Sequence, residues 1–189
     1  MKIKLLLGFV GFLLLPFYYG GNIQQQYGLA KKFLDQGAYI EAESQFERLA
    51  LSHLKKNPQN EQCQIALYQA AMIEAVFLMQ YEKAIPKLNQ YIQIAKNSDY
   101  LWKANLQLGD CYYALERFPS AISHYKKILN QRDDPHLLYQ IGMSHFFQRE
   151  FNEALVKFKE IQKKFPKTPW AQRASFQQSQ VELVQKRKK

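Results

Sequence analysis

The chain has 189 residues, of which 47% are hydrophobic and 14% aromatic, and it carries 26 Lys and Arg against 16 Asp and Glu. This length and apolar content suit one globular domain and argue against an intrinsically disordered chain, and two cysteines are too few for a disulfide-stapled scaffold. The charge is uneven, because residues 22–156 balance 14 basic against 14 acidic side chains, whereas residues 157–189 hold ten basic and two acidic.

The first predicted element is an apolar segment over residues 1–21. Two lysines within the first four residues precede the uncharged run 5–19, which is the layout of an export signal or a signal anchor. Cleavage after Gly20 or Gly21 would place a tyrosine three positions before the cut, where a small residue is needed. We therefore expect a retained hydrophobic helix, with a cleaved signal or a buried helix of the soluble fold as alternatives.

Helical repeats are predicted from residue 23 onwards. An aromatic residue, an alanine three positions later and a bulky apolar residue four further on recur at Tyr39-Ala42-Phe46, Tyr81-Ala84-Leu88, Phe118-Ala121-Tyr125 and Phe151-Ala154-Phe158. A small residue lies twelve positions before that alanine at Ala30, Gly109 and Gly142, but Met72 breaks the pattern beside Ala71. Because antiparallel helices approach closely where small side chains meet, each repeat is predicted to be a helix pair. For the second pair, a slip by one residue is the alternative to the common register.

These residues resemble the tetratricopeptide-repeat (TPR) family, whose unit has about 34 residues in two helices. The resemblance implies an all-α, TPR-type α-solenoid of antiparallel helix pairs over residues 22–189. We expect this solenoid to consist of about four repeats, a closing helix and a basic tail. The repeats are expected at residues 23–57, 64–97, 102–134 and 135–168, the closing helix at 168–186 and the tail at 186–189.

The run 165–171, Phe-Pro-Lys-Thr-Pro-Trp-Ala, is similar to a junction common in TPR proteins of the bacterial envelope. Together with the basic start of the apolar segment, this resemblance implies a protein of the bacterial inner membrane that crosses it once and holds the repeats in the periplasm. An exported, soluble periplasmic protein is the alternative.

The TPR resemblance also implies a binding surface. TPR arrays line their concave wall with the first helix of each repeat, and this register predicts an apolar groove for a partner peptide or an amphipathic helix. The predicted groove residues are Tyr27, Ile73, Phe77, Leu106, Tyr113, Tyr139, Met143 and Phe146. The alternative left open is that several of them are core contacts or are covered by the closing helix.

The basic C-terminal stretch is a second candidate surface. An acidic partner or anionic lipid head groups could bind it, and a solvated helix face is the alternative. Nucleic acid is not an expected ligand, because no base-reading motif accompanies the charge. The residues are Lys163, Lys164, Lys167, Arg173, Lys186, Arg187, Lys188 and Lys189.

The sequence offers no pattern for catalysis. The four histidines lack metal-ligand spacing, no glycine-rich phosphate loop is present, and neither cysteine has a nucleophile motif beside it. We therefore predict a non-enzymatic adaptor or scaffold, tethered to a membrane, with no cofactor or metal, that holds a protein partner in the groove. The alternative is a structural subunit of a larger envelope or membrane complex, packed through its convex face and C-terminal helix.

Overall fold

The computed structural model describes residues 21–95 and 99–187. Within these residues the chain forms nine α-helices and no strand, which confirms the predicted all-α class for this part of the chain. The helices are α1 (Ile23–Asp35), α2 (Tyr39–Leu54), α3 (Glu61–Val76), α4 (Tyr81–Ile94), α5 (Leu101–Ala114), α6 (Phe118–Leu129), α7 (Pro135–Phe147), α8 (Phe151–Lys164) and α9 (Pro169–Lys186).

Each helix packs mainly against its neighbours along the chain. Contacts run from α1 on α2 through to α8 on α9, and further contacts join α1 to α3, α3 to α5 and α7 to α9. Helix pairs that contact only their neighbours build a solenoid. The first helices α1, α3, α5, α7 and α9 form one layer, called here the first-helix wall, and α2, α4, α6 and α8 form the second-helix layer.

Glycines in the first helices allow close crossing with the second helices. A Cβ added at Gly142 would lie 2.7 Å from Cε1 of Phe158, and one added at Gly109 would lie 2.7 Å from Cδ1 of Tyr125. Both rings are fully buried. A larger residue at either glycine would therefore have to displace an aromatic ring in the core.

The two layers begin their helices in different ways. Four first helices have a side-chain cap at the start, in which an oxygen accepts a hydrogen bond from a backbone N–H of the first turn. These caps are Asn22, Asn60, Asp134 and Thr168. The second helices have no side-chain cap and begin directly after tight turns.

Each tight turn contains a residue with positive φ, the left-handed conformation that commonly ends a helix. These residues are Gly37 (72°), Met79 (53°), Glu116 (56°) and Arg149 (62°). In three turns the next N–H donates to the carbonyl five positions back, in the bonds Ala38 to Phe33, Arg117 to Tyr112 and Glu150 to His145.

The second pair departs from this geometry by one residue. The N–H of Gln80 donates to the carbonyl of Glu74, six positions back, at 2.7 Å. The turn therefore holds one extra residue, and Ala71 takes the place that Gly109 has in the third pair. Ala71 is fully buried, whereas Met72 is only partly buried.

Helix α3 lies at the centre of the largest core cluster. Ten of its 16 residues are buried, including the carboxylate of Glu74. The Glu74 Oε1 atom accepts a hydrogen bond from Nζ of Lys87 at 2.7 Å, and Oε2 has no partner among the described atoms. Lys87 also pairs with Glu47 at 2.8 Å and with Glu43 at 3.8 Å. One cation thus holds together three carboxylates from two helices.

The structure corrects the predicted localisation. The longest described helix, α9, has 18 residues, but it includes Arg173, Glu182 and Lys186 together with several glutamines. No helix within residues 21–95 or 99–187 is both long and apolar enough to cross a membrane. The prediction of a single-pass inner-membrane protein with periplasmic repeats is therefore contradicted. Residues 1–20, where the predicted hydrophobic helix falls, lie outside the described residues.

Candidate functional site

Four of the predicted groove residues lie close together on α5 and α7. Tyr113, Tyr139, Met143 and Phe146 are all partly exposed. Burial, and after it the neighbouring Tyr139, raise the pKa of the Tyr113 hydroxyl. The side chains of α7 also pack against the core between α8 and α9. We call these four residues the apolar cluster of the first-helix wall.

A cavity of about 460 Å³ adjoins the apolar cluster on its C-terminal side. Its lining consists of Tyr139, Gln172, Arg173, Phe176 and Gln177. The ring of Trp170 lies 5.5 Å from that of Tyr139, and the Arg173 guanidinium lies 4.7 Å from the Trp170 ring centre. Helix α9 therefore packs against Tyr139 of the cluster through Trp170, and it leaves Phe176 62% exposed at the cavity.

Three other predicted residues are separate from the cluster. Tyr27 packs edge-on against a buried ring of α2, with 5.4 Å between centroids. Phe77 is 48% exposed at the end of α3 and stacks on Tyr39 at 4.0 Å. Leu106 is partly buried in the core formed by α5, α6 and α7. The predicted set therefore forms several patches rather than one groove.

Ile73 does not belong to the wall surface. It is 1% exposed and lies in the core, so that it is not accessible to a partner. The extra residue in the second turn explains this, since Ile73 then corresponds to the fully buried Cys111 of the third pair. In the same register Met72 corresponds to Asp110 and takes the wall position that Ile73 was expected to fill.

Asp110 introduces a polar group into the apolar wall. Its Oδ1 atom accepts a hydrogen bond from the Tyr125 hydroxyl at 2.8 Å. Burial raises the pKa of the Asp110 carboxyl, although the Tyr125 hydrogen bond and the nearby His136 act in the opposite direction. The hydrogen bond from Tyr125 thus fixes the position of the Asp110 carboxylate between α5 and α6.

The predicted basic surface is divided in two. Lys163 and Lys167 are exposed near the α8–α9 turn, where Lys164 pairs with Glu160 at 3.1 Å. Lys186 and Arg187 lie at the other end of α9. At about 1.5 Å per residue, the two groups are about 30 Å apart. Lys188 and Lys189 lie outside the described residues.

A further pocket was not predicted from the sequence. It has a volume of about 350 Å³ and is lined by Tyr113, Ala114, Glu116, Phe118 and Phe147. We call it the rim pocket, because it lies where the turn of the third helix pair meets the end of α7. The paired phenylalanines at 146 and 147 were the available signal, but the repeat register selects only the first of them.

Helix pairs in a single row, with the first helices forming a continuous wall, define an α-solenoid built from repeats. Residues 103–134 and 136–168 match the tetratricopeptide repeat family. Residues 103–168 thus contain two tetratricopeptide repeats, which confirms the resemblance predicted from the sequence pattern.

Solved structures with this fold agree with the assignment. MamA from Desulfovibrio magneticus RS-1 has a TM-score of 0.69 at 16% identity, over 86% of this chain and 87% of that chain. A tetratricopeptide repeat protein from Parabacteroides merdae ATCC 43184 has a TM-score of 0.70 at 15% identity, over 85% and 60%. YrrB has a TM-score of 0.65 at 19% identity, over 81% and 74%. These similarities show the fold alone, and no curated protein matches the sequence.

Proposed function

We propose that the chain is a non-enzymatic scaffold for protein–protein interaction that binds a partner peptide or helix in the concave groove of the first-helix wall. The observation that carries the proposal is the apolar cluster of Tyr113, Tyr139, Met143 and Phe146, which stays partly exposed beside an open cavity. Contiguous apolar surface of this kind marks interaction sites on folded proteins.

The chemistry of the groove suits an amphipathic ligand. Aromatic side chains offer contact area at low cost in conformational entropy, and the Asp110 carboxylate offers an acceptor for a backbone N–H of the ligand. The similar structure of YrrB is that of a TPR protein with an unusual peptide-binding site. A peptide is therefore the ligand class that we propose for this chain.

Substitution of the cluster tests the proposal. A 12-residue peptide selected from a random library on the full chain serves as the probe, and its affinity is measured by calorimetry. Tyr139→Ala and Phe146→Ala should each weaken binding at least about fivefold, because buried aromatic anchors dominate interface energies. Val156→Ala is the matched control, since Val156 is 59% exposed on α8 in the second-helix layer.

The affinities are compared only for variants that fold, and circular dichroism is used first to check that each variant is folded. Equal affinity of the wild type and both cluster variants would refute binding in this groove. Loss of affinity in Val156→Ala as well would show that the peptide contacts the opposite layer.

A structural subunit is the second candidate, because apolar side chains are also exposed outside the groove. Ile40 is 68% exposed and Leu51 50% exposed on α2, and Leu183 is 50% exposed on α9. Sedimentation of the full chain should show a monomer if the scaffold proposal is right. Self-association that Ile40→Ser or Leu183→Ser abolishes would favour the subunit instead.

The exposed lysines near the α8–α9 turn are proposed as contacts for an acidic segment of the same partner. Lys163→Gln with Lys167→Gln should then weaken a peptide extended by aspartates and leave the unextended peptide unaffected. The difference should shrink as salt is raised, because exposed charges are screened. Equal affinities for the extended peptide in both proteins would remove these lysines from the interface.

A further inference from the structure

The rim pocket combines aromatic rings with a carboxylate. The Tyr113 ring lies edge-on to those of Phe118, with 5.6 Å between centroids, and Phe147, at 6.2 Å. Phe118 and Phe147 stack on each other at 5.5 Å with 15° between their planes. Phe147 is 51% exposed, so the stack is accessible from solvent. The three rings and Glu116 surround about 350 Å³ of open space.

This combination attracts a cation. The faces of aromatic rings carry negative potential and bind ammonium and guanidinium groups, and they do so more strongly where water is partly excluded. Glu116 adds a full negative charge at the same pocket. The carboxylate takes part in no salt bridge among the described residues, so its charge is available to a ligand.

The backbone conformation of the turn fixes the position of the Glu116 Cα atom, from which the side chain extends. Its φ is 56°, and its N–H donates to the carbonyl of Tyr113 at 3.0 Å. The next N–H, that of Arg117, donates to the carbonyl of Tyr112 at 2.8 Å. These two hydrogen bonds hold the backbone of Glu116 at the pocket, so that its side chain starts from a fixed position among the lining residues.

The first helix pair provides an internal comparison. There Tyr39 and Phe77 stack in the same way, at 4.0 Å and 13°, between the start of one second helix and the end of the next first helix. The turn residue that corresponds to Glu116 is Gly37, which has no side chain. The aromatic stack is thus common to both places, and the carboxylate distinguishes the rim pocket.

We propose that the rim pocket binds an arginine side chain of the partner polypeptide. The proposal rests on the proposed function, because it names a feature of the partner that the groove holds. A planar guanidinium stacks on ring faces and pairs with a carboxylate through two parallel hydrogen bonds, which a lysine ammonium does not do. This protein already contains such stacks, with Arg132 4.5 Å from the Trp102 ring centre and Arg173 4.7 Å from that of Trp170.

Small probes test the pocket without the groove. The full chain, labelled with ¹⁵N, is titrated with N-acetylarginine methylamide and with the citrulline analogue, which has nearly the same shape and no charge. The arginine amide should shift the backbone signals of Tyr113, Glu116 and Phe147, and the citrulline amide should not. Glu116→Gln should weaken arginine binding about tenfold, whereas Glu153→Gln, an exposed change on α8, should leave it unaltered.

Three results would overturn the proposal: equal shifts with citrulline, equal affinity in Glu116→Gln, or a lysine amide that binds as tightly as the arginine amide. The groove and the pocket can fail independently. A peptide that requires Tyr139 and Phe146 but keeps its affinity when its arginines become citrulline supports the groove and overturns the arginine site. Selective binding of the arginine amide, with peptide affinity unaffected by the groove variants, supports the pocket and refutes the groove.

Discussion

Replacing Gly142 with alanine should destabilise the protein, although alanine is the better helix former. The new methyl group would lie 2.7 Å from Cε1 and 3.1 Å from Cδ1 of Phe158. An ordinary carbon–carbon contact is about 3.5–4.0 Å, so the Phe158 ring must move away from the new methyl group by about 1 Å. Phe158 is 0% exposed and belongs to the buried core cluster of α7, α8 and α9. Overpacking of a core costs about 1–3 kcal/mol, and the gain in helix propensity returns about 1 kcal/mol.

The expected net loss in the free energy of unfolding is therefore up to about 2 kcal/mol, or a drop in Tm of up to about 8 °C for a chain of this size. Urea denaturation followed by circular dichroism measures it. Gly28→Ala is the matched control, because Gly28 also lies inside a first helix but has nothing within 4 Å of an added Cβ. That change should stabilise the protein by about 0.5–1 kcal/mol.

The decisive result is that Gly142→Ala lowers the free energy of unfolding whereas Gly28→Ala raises it. If Gly142→Ala stabilised the protein as much as Gly28→Ala, the close approach of α7 and α8 would not explain the glycine. Phe158→Leu in the Gly142→Ala background provides a second check. The two changes should couple by at least about 1 kcal/mol, since the smaller side chain makes room for the methyl group.

Three further predictions concern the core and the turns. Lys87→Met should lower the free energy of unfolding by about 3 kcal/mol, because it leaves the buried Glu74 carboxylate without its cation. Adding Glu74→Gln should restore part of the loss, and purely additive effects in urea denaturation would contradict a shared ion cluster. Burial, and after it the charge of Lys127, lower the pKa of His124 from 6.5 to about 4. The unfolded chain therefore takes up a proton below pH 6.5 that the folded chain does not, and stability should fall between pH 6.5 and 4. Because His124 is only partly buried and solvent screens its charge, the loss should be about 1–2 kcal/mol. Most of that slope should be absent in His124→Gln, and an unchanged slope would assign the effect to other groups. Gly37→Ala, at a φ of 72°, should cost about 1 kcal/mol; a Tm equal to that of the wild type would show that the turn accommodates the methyl group.

The repeated parts of the fold were predictable from the sequence because every helix pair needs the same types of residue at its packing contacts. An aromatic residue begins each second helix, an alanine follows three positions later, and a small residue lies at the crossing point of the first helix. Gly109 and Gly142 identify the third and fourth pairs by spacing alone, and the structure shows the rings that require them.

The second pair was harder to predict for a related reason. Helix α3 is buried on most sides, so its sequence has no clear polar stripe that would fix its orientation. Its turn is one residue longer, and Ala71 beside Met72 had indicated such a slip. The wall residues were nevertheless assigned without the slip, so Ile73 was placed on the wall although it is in the core.

The candidate site was only partly predictable because family register gives positions along helices and not the shape between them. It identified Tyr113, Tyr139, Met143 and Phe146, whose side chains lie close together. It did not identify the rim pocket, because Glu116 belongs to a turn and Phe147 falls one position after the expected wall residue. Pockets formed between two helix pairs depend on contacts that no single repeat specifies.

The row of neighbouring contacts has a consequence for how binding can be observed. In such an array the terminal helices open most easily, because each lacks a neighbour on one side. The apolar cluster and its cavity are built from α5, α7 and α9, towards the C-terminal end of the described chain. A bound partner would bridge these helices and suppress their opening. Slowed amide hydrogen exchange in α9, with little change in α3, would therefore be the expected signature of an occupied groove.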